Sequence, residues 1–172
     1  DKIREVFGIE TSLEKTVLLT FGGLGLEAIP YQNLQQFSDW QFITFDAGTP
    51  DLPNLINVKN QEFAQSFPIL PRPVDIMSVC GRLVSKPGYS TFSEALRLEI
   101  PVVSIMREGF AEAQVLLEGI QNYGEHQILT ATEFFEGDWE FLPQPLHPPR
   151  LSDKLDKNGT EAIAQAVVDY FA

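Results

Sequence analysis

Cysteine is almost missing: Cys80 stands alone in 172 residues, which excludes an internal disulfide. Histidine is nearly as scarce, with only His126 and His147, so a zinc site of ordinary ligand count has little to draw on. Positive charge is short as well. The 12 Lys and Arg face 24 Asp and Glu, for a formal charge of -12. Neutralising a nucleic-acid backbone needs a basic face, so nucleic acid is excluded as a generic partner. A small anion held by a few backbone N–H groups is not. No apolar run reaches the length of a bilayer span and no charged-then-apolar leader opens the chain, so no transmembrane segment is expected and a reducing, cytoplasmic setting is. The chain opens on Asp1 rather than Met, as a processed product or a fragment would.

What is present is ordinary in amount and ordered in pattern. With 44% hydrophobic residues, residues 1–172 are expected to form one domain with a proper core. Apolar runs that end in turn residues alternate with helical periodicity. The strands expected are Thr16 to Thr20, Trp40 to Phe45, Leu55 to Val58, Leu83 to Ser85, Pro101 to Ile105 and Gln127 to Leu129. The helices expected are Leu26 to Phe37, Val74 to Cys80, Thr91 to Leu98, Phe110 to Asn122 and Thr160 to Phe171. In the last, Ala162, Ile163, Ala166, Val167, Tyr170 and Phe171 share one face. Such alternation predicts an α/β, Rossmann-like parallel sheet of about six strands with helices on both faces.

The stretch with most chemistry is "RLVSKPGYSTFSEA", Arg82 to Ala95. A strand stops at Lys86-Pro87-Gly88 and hydroxyl residues open a helix. Glycine there allows a sharp turn and close approach of a ligand. The N–H groups of Tyr89, Ser90 and Thr91 would then favour an anion. The same residues also suit a plain strand-to-helix turn, with Ser90 as N-cap and Ser93 or Glu94 closing a capping box. Gly22, Gly23 and Gly25 form a second glycine turn after the first strand. In a doubly wound sheet both turns lie at the carboxyl edge, where ligands bind. Lys86 and Arg107 sit just past strand ends and could neutralise a diphosphate. His126 and His147 fall in loop-like sequence, Cys80 is expected to pack as a small apolar residue, and Trp40 and Trp139 to serve core or interface. No nucleophile elbow, phosphate-loop lysine motif or metal-binding carboxylate triplet occurs.

From Val74 to Asn122 the chain resembles the donor-binding half of GT-B glycosyltransferases. It is similar to the enzyme that adds N-acetylglucosamine in peptidoglycan synthesis, and to the glycosyltransferase-like segment upstream of sugar kinases. The residues that carry the likeness are "LVSKPGYSTFSEALRLEIPVVSI", with "TVLLTFGGLG" as the opening strand and turn. The chain departs from that pattern at Leu98-Glu99-Ile100, where the family usually has glycine, and in the run from Arg107 to Gln114. The resemblance implies a nucleotide-diphosphate sugar as substrate, a UDP-sugar first of all, with no further cofactor and no required metal. Its pyrophosphate would rest on the amides of Gly88 to Thr91 and its ribose on Glu94. Gly22 and Gly23 would face the phosphate–sugar side, and Glu112 or Gln114 the sugar. It also implies an N-terminal acceptor half, or a separate partner subunit, that supplies the acceptor site and catalytic base. This chain alone is then expected to bind a donor without transferring it. Two other roles fit the same residues: half of a nucleotide-sugar epimerase, or a sensing or interaction module without turnover.

Overall fold

A computed structural model of the chain describes residues 2–21, 29–60 and 65–171. Its centre is a six-stranded sheet. The strands are β1 (Thr16–Thr20), β2 (Gln41–Thr44), β3 (Leu55–Asn57), β4 (Arg82–Ser85), β5 (Val102–Ile105) and β6 (His126–Leu129). Their spatial order is β3-β2-β1-β4-β5-β6, and every adjacent pair is parallel. The fold is α/β and Rossmann-like, as the alternation predicted. Strands are added outward from β1 on one side and from β4 on the other, so the strand order reverses between β1 and β4, the topological switch point at which such sheets open a crevice.

The four central strands, β1, β2, β4 and β5, are buried along most of their length because both faces are covered. Leu18, Ile43, Leu83 and Val102 point to one face, with Ile76, Phe92, Ala95, Leu117 and Ile120 packed over them. Those covering residues come from α2 (Pro73–Met77), α3 (Tyr89–Leu98) and α4 (Ala113–Tyr123). A first helix, α1 (Lys2–Phe7), adds Phe7 to the same face. Val17, Leu19, Phe42, Val84 and Val103 point to the other face, against Leu34, Phe134, Trp139 and Leu142. Phe134 belongs to α5 (Ala131–Phe135), which opens on a capping box between Thr130 and Glu133. That signature, Thr-x-x-Glu, stands in the sequence, yet neither α1 nor α5 was among the helices expected.

Two expectations need correction. Within the helix read from Leu26 to Phe37, residues 26–28 lie outside the described residues. The described remainder is a short 3-10 helix, Tyr31–Gln36, that starts after Pro30. Proline removes a donor and biases its predecessor away from helix, so the turn begins afresh at Tyr31. His126 lies in a strand, not a loop, and is buried. The last helix, α6 (Gly159–Phe171), forms as expected, but none of its residues is buried. Periodicity fixed its apolar side without saying whether anything covers it.

Gly81 marks a tight crossing below β4. A Cβ there would stand 2.8 Å from Glu14 Cα and closer still to the Leu13 carbonyl oxygen, both backbone atoms that cannot turn aside. Gly81→Ala is therefore expected to cost about 1–3 kcal/mol, the usual penalty of overpacking. A fall in the denaturant midpoint without a change in slope is the measurement that checks it.

Candidate functional site

The register that pairs Thr20 with Ser85 puts the ends of β1 and β4 side by side at the switch point. Three loops leave the carboxyl edge nearby. After β4 come Lys86, buried Pro87 and Gly88, and α3 begins at once. After β5 come Met106 and Arg107, whose guanidinium lies 4.8 Å over the Phe110 ring. After β2 comes Phe45 and then Asp46. Gly22 and Gly23, read as the turn after β1, lie outside the described residues.

The start of the helix that follows Gly88 differs from the expected cap. Its N-cap is Gly88, not Ser90, and no side chain caps it. Ser90 and Thr91 are the second and third helical residues, and Phe92 N–H is the first to bond back, to Gly88 O at 3.0 Å. The N–H groups of Tyr89, Ser90 and Thr91 therefore lack the intrahelical partners that later residues have. Glu94 is the sixth helical residue, too far along for the third-position carboxylate of a capping box. It stands three and four residues beyond Thr91 and Ser90, on their side of the helix, one turn further in. Glu94 is half-buried.

Gly88 corrects one expectation. Its φ of -159° and ψ of 129° are extended backbone, which any residue adopts. An added Cβ would meet Thr91 Oγ1 at 3.8 Å, an ordinary contact. The turn does not need glycine. What glycine leaves is open space before the uncapped amides.

Charge at this edge is mixed, with Lys86 and Arg107 beside Asp46. Burial lowers the pKa of Lys86 from the usual lysine range, Arg107 beside it lowers it further, and Asp46 opposes both. Lys86, Arg107 and Asp46 thus act on one another, although they come from three separate loops. Asp46 is the site residue that the sequence reading missed. It accepts a hydrogen bond from the Tyr31 hydroxyl at 2.6 Å, while its own N–H donates to Thr44 Oγ1 at 3.2 Å. Burial, then Asp46, raises the Tyr31 pKa above the usual tyrosine range, so the phenol keeps its proton and goes on donating. The signal was legible: an acid immediately after the apolar run "WQFITF".

Glu112 and Gln114 are exposed at the start of α4, beyond the Arg107–Phe110 pair along the same loop. Ser104, beside Ser85 in the register, is fully buried with no hydrogen-bond partner for its Oγ. Cys80 is buried, which pushes its thiol up to about 12, so it packs as an apolar residue and carries no nucleophile. Among the described residues, no group of three or more His, Cys, Asp or Glu is placed to hold a metal ion. No helix among them is long and apolar enough to cross a membrane.

No family model matches this chain, and no curated protein matches it either. Solved structures similar to it include two glycosyltransferases. One is the glycosyltransferase of kitacinnamycin, at 13% identity and a TM-score of 0.47, over 79% of this chain and 38% of that one. The other is the glycosyltransferase SnogD from Streptomyces nogalater, at 15% identity and a TM-score of 0.45, over 92% of this chain and 44% of that one. The chain spans less than half the length of either.

The site described here has the makings of an oxyanion receptor. It offers three backbone donors on a helix dipole, two cations past neighbouring strands, and a carboxylate one turn further on.

Proposed function

We propose that this chain is a donor-binding half of a GT-B type glycosyltransferase, holding a nucleotide-diphosphate sugar for transfer completed by a second half or a partner subunit. The observation that carries the reading is the uncapped start of α3, with Glu94 one turn in and on the side of Ser90 and Thr91. A diphosphate would take the amides of Tyr89, Ser90 and Thr91, with Lys86 and Arg107 against its outer oxygens. Charge-assisted hydrogen bonds of this kind exceed neutral ones. Glu94, an acceptor when ionised, suits ribose hydroxyls.

The chemistry asked of these residues is modest. As the glycosidic bond to the diphosphate breaks, negative charge grows on the leaving phosphate. Preorganised amides and cations stabilise that charge without reorganising. The acceptor site and the general base that activates its hydroxyl are assigned in this reading to the second half or partner subunit. A UDP-sugar is the donor we propose first, and Glu112 and Gln114 are the residues nearest in the chain to contact its sugar.

Gly88→Ala tests the reading with little interference from folding. The substitution fits the backbone and meets only ordinary contacts, so the melting midpoint should hold. The added methyl stands before the amides, and UDP or UDP-sugar affinity by calorimetry should fall about tenfold or more, the loss expected when a charge-assisted hydrogen bond is displaced. The same titration with EDTA should give the wild-type affinity unchanged. Equal affinity of wild type and Gly88→Ala would remove the diphosphate from α3, and a strong loss on chelation would require a metal in the site.

A further inference from the structure

The opposite edge of the sheet carries a second basic cluster that the reading above does not use. His126 opens β6 and is only 5% exposed. The chain returns to it through an antiparallel bridge with His147. His126 N–H donates to His147 O at 2.9 Å, and His147 N–H donates to His126 O at 2.8 Å. The two imidazole rings stand 5.7 Å apart. Three residues on, Arg150 is anchored by its backbone, its N–H donating to Gln121 O at 2.9 Å. Gln121, His126, His147 and Arg150 line one cavity of about 480 Å³, together with Ile128, Pro148 and Pro149.

Among the described residues no carboxylate lines that cavity, in a protein with 24 of them. The ion pairs among the described residues are Lys15–Asp39, Arg72–Asp75 and Lys157–Glu99, and none engages Arg150 or either histidine. Glu125, next in the chain, lines the adjoining cavity, which Arg150 also reaches, and acts on Arg82. The last turn of α4 could repel an anion through its carbonyls, but they are covered. Gly124 N–H caps Ile120 O, and the Arg150 and Leu151 N–H groups take Gln121 O and Asn122 O.

We propose that His126, His147 and Arg150 form a second anion site, built for a small tetrahedral oxyanion such as sulfate or a phosphate group, and filled under mildly acidic conditions. Arg150 supplies a permanent forked donor. His126 has one ring nitrogen, Nδ1, at 3.0 Å from Gly124 O. That bond holds the Nδ1 proton and leaves Nε2 as the atom that gains a proton. Burial lowers the His126 pKa; the bond to Gly124 O opposes it, and His147 and Arg150 lower it further, so the net direction is down. In the empty site the ring is therefore neutral near neutral pH. An anion between the three groups reverses the balance by offering the charged ring its missing counter-charge. Binding and protonation are thus linked, each favouring the other.

The test is the imidazole Cε1–H resonances of the full chain, followed by NMR as sulfate is added at constant ionic strength. Sulfate keeps its charge between about pH 6 and about pH 8, so its own protonation does not enter the comparison. These signals report this edge alone, and an anion held at α3 does not register in them. Both histidine signals should shift saturably with sulfate at about pH 6, with affinity about tenfold lower at about pH 8. Arg150→Gln should weaken binding about tenfold. Arg150 is exposed, so that variant and His147→Gln keep the fold when His126 variants do not. Histidine signals that stay fixed as sulfate reaches tens of millimolar, or equal affinity in Arg150→Gln, would overturn the proposal.

Discussion

Glu94→Ala is expected to weaken nucleotide-sugar binding by about 10- to 100-fold while leaving the melting midpoint nearly unchanged. An ionised carboxylate that accepts ribose hydroxyls contributes roughly 1.5–3 kcal/mol, which converts to that range. A capping-box role would give the reverse ranking, a loss of stability with unchanged affinity. The structure already weakens that alternative, because Glu94 is the sixth residue of α3 and Gly88 caps the helix without a side chain. Arg72, whose guanidinium pairs with Asp75 at 3.2 Å, has Glu94 among its weaker influences, so removing the carboxylate breaks no primary contact there. Calorimetric titration of wild type and Glu94→Ala, beside their melting curves, decides the matter. Unchanged affinity in a folded mutant would end the ribose role.

Trp139→Ala is expected to cost the most stability of any substitution considered, about 3–5 kcal/mol. Trp139 is fully buried against Phe134, with ring centroids 5.0 Å apart. Its indole N–H donates to Phe134 O at 2.8 Å. The residue holds a φ of 61°, a left-handed conformation costly for a bulky side chain, and tertiary packing must offset that cost. Truncation loses the packed ring and the hydrogen bond but keeps the unfavourable backbone. At roughly 2–4 °C per kcal/mol for a domain of this size, the midpoint should fall by about 10 °C. Trp139→Phe should cost less, since most of the ring volume remains. Nucleotide affinity should survive in either variant while it is folded. A loss of affinity without a loss of stability would turn Trp139 from a core residue into a ligand-stacking one.

The sequence alone determined the class of the fold, because fully buried parallel strands write themselves as short apolar runs. "TVLLT" and "PVVSI" have no other comfortable place than a sheet covered on both faces. It also placed a helix start just after β4, and a helix start carries its free N–H donors whatever the rest of the chain does. Local signals were less secure where two uses share one pattern. Ser90 and Glu94 suit a cap as well as a ligand contact, and only the backbone showed that the N-cap is Gly88. Tertiary structure alone decided which loops meet. Asp46, Lys86 and Arg107 are far apart in sequence and come together because β2, β1, β4 and β5 lie side by side with their carboxyl ends at one edge. The partnership of His126 with His147 was invisible for the same reason. Pairing between a strand and a distant return segment depends on register across the sheet, which residue periodicity does not encode. The fate of α6 shows the limit from the other side. Its apolar periodicity specified a helix with one side to bury, and the path of residues 151–158 left that side exposed. Periodicity acts within a segment, whereas burial depends on what the remainder of the chain brings to it.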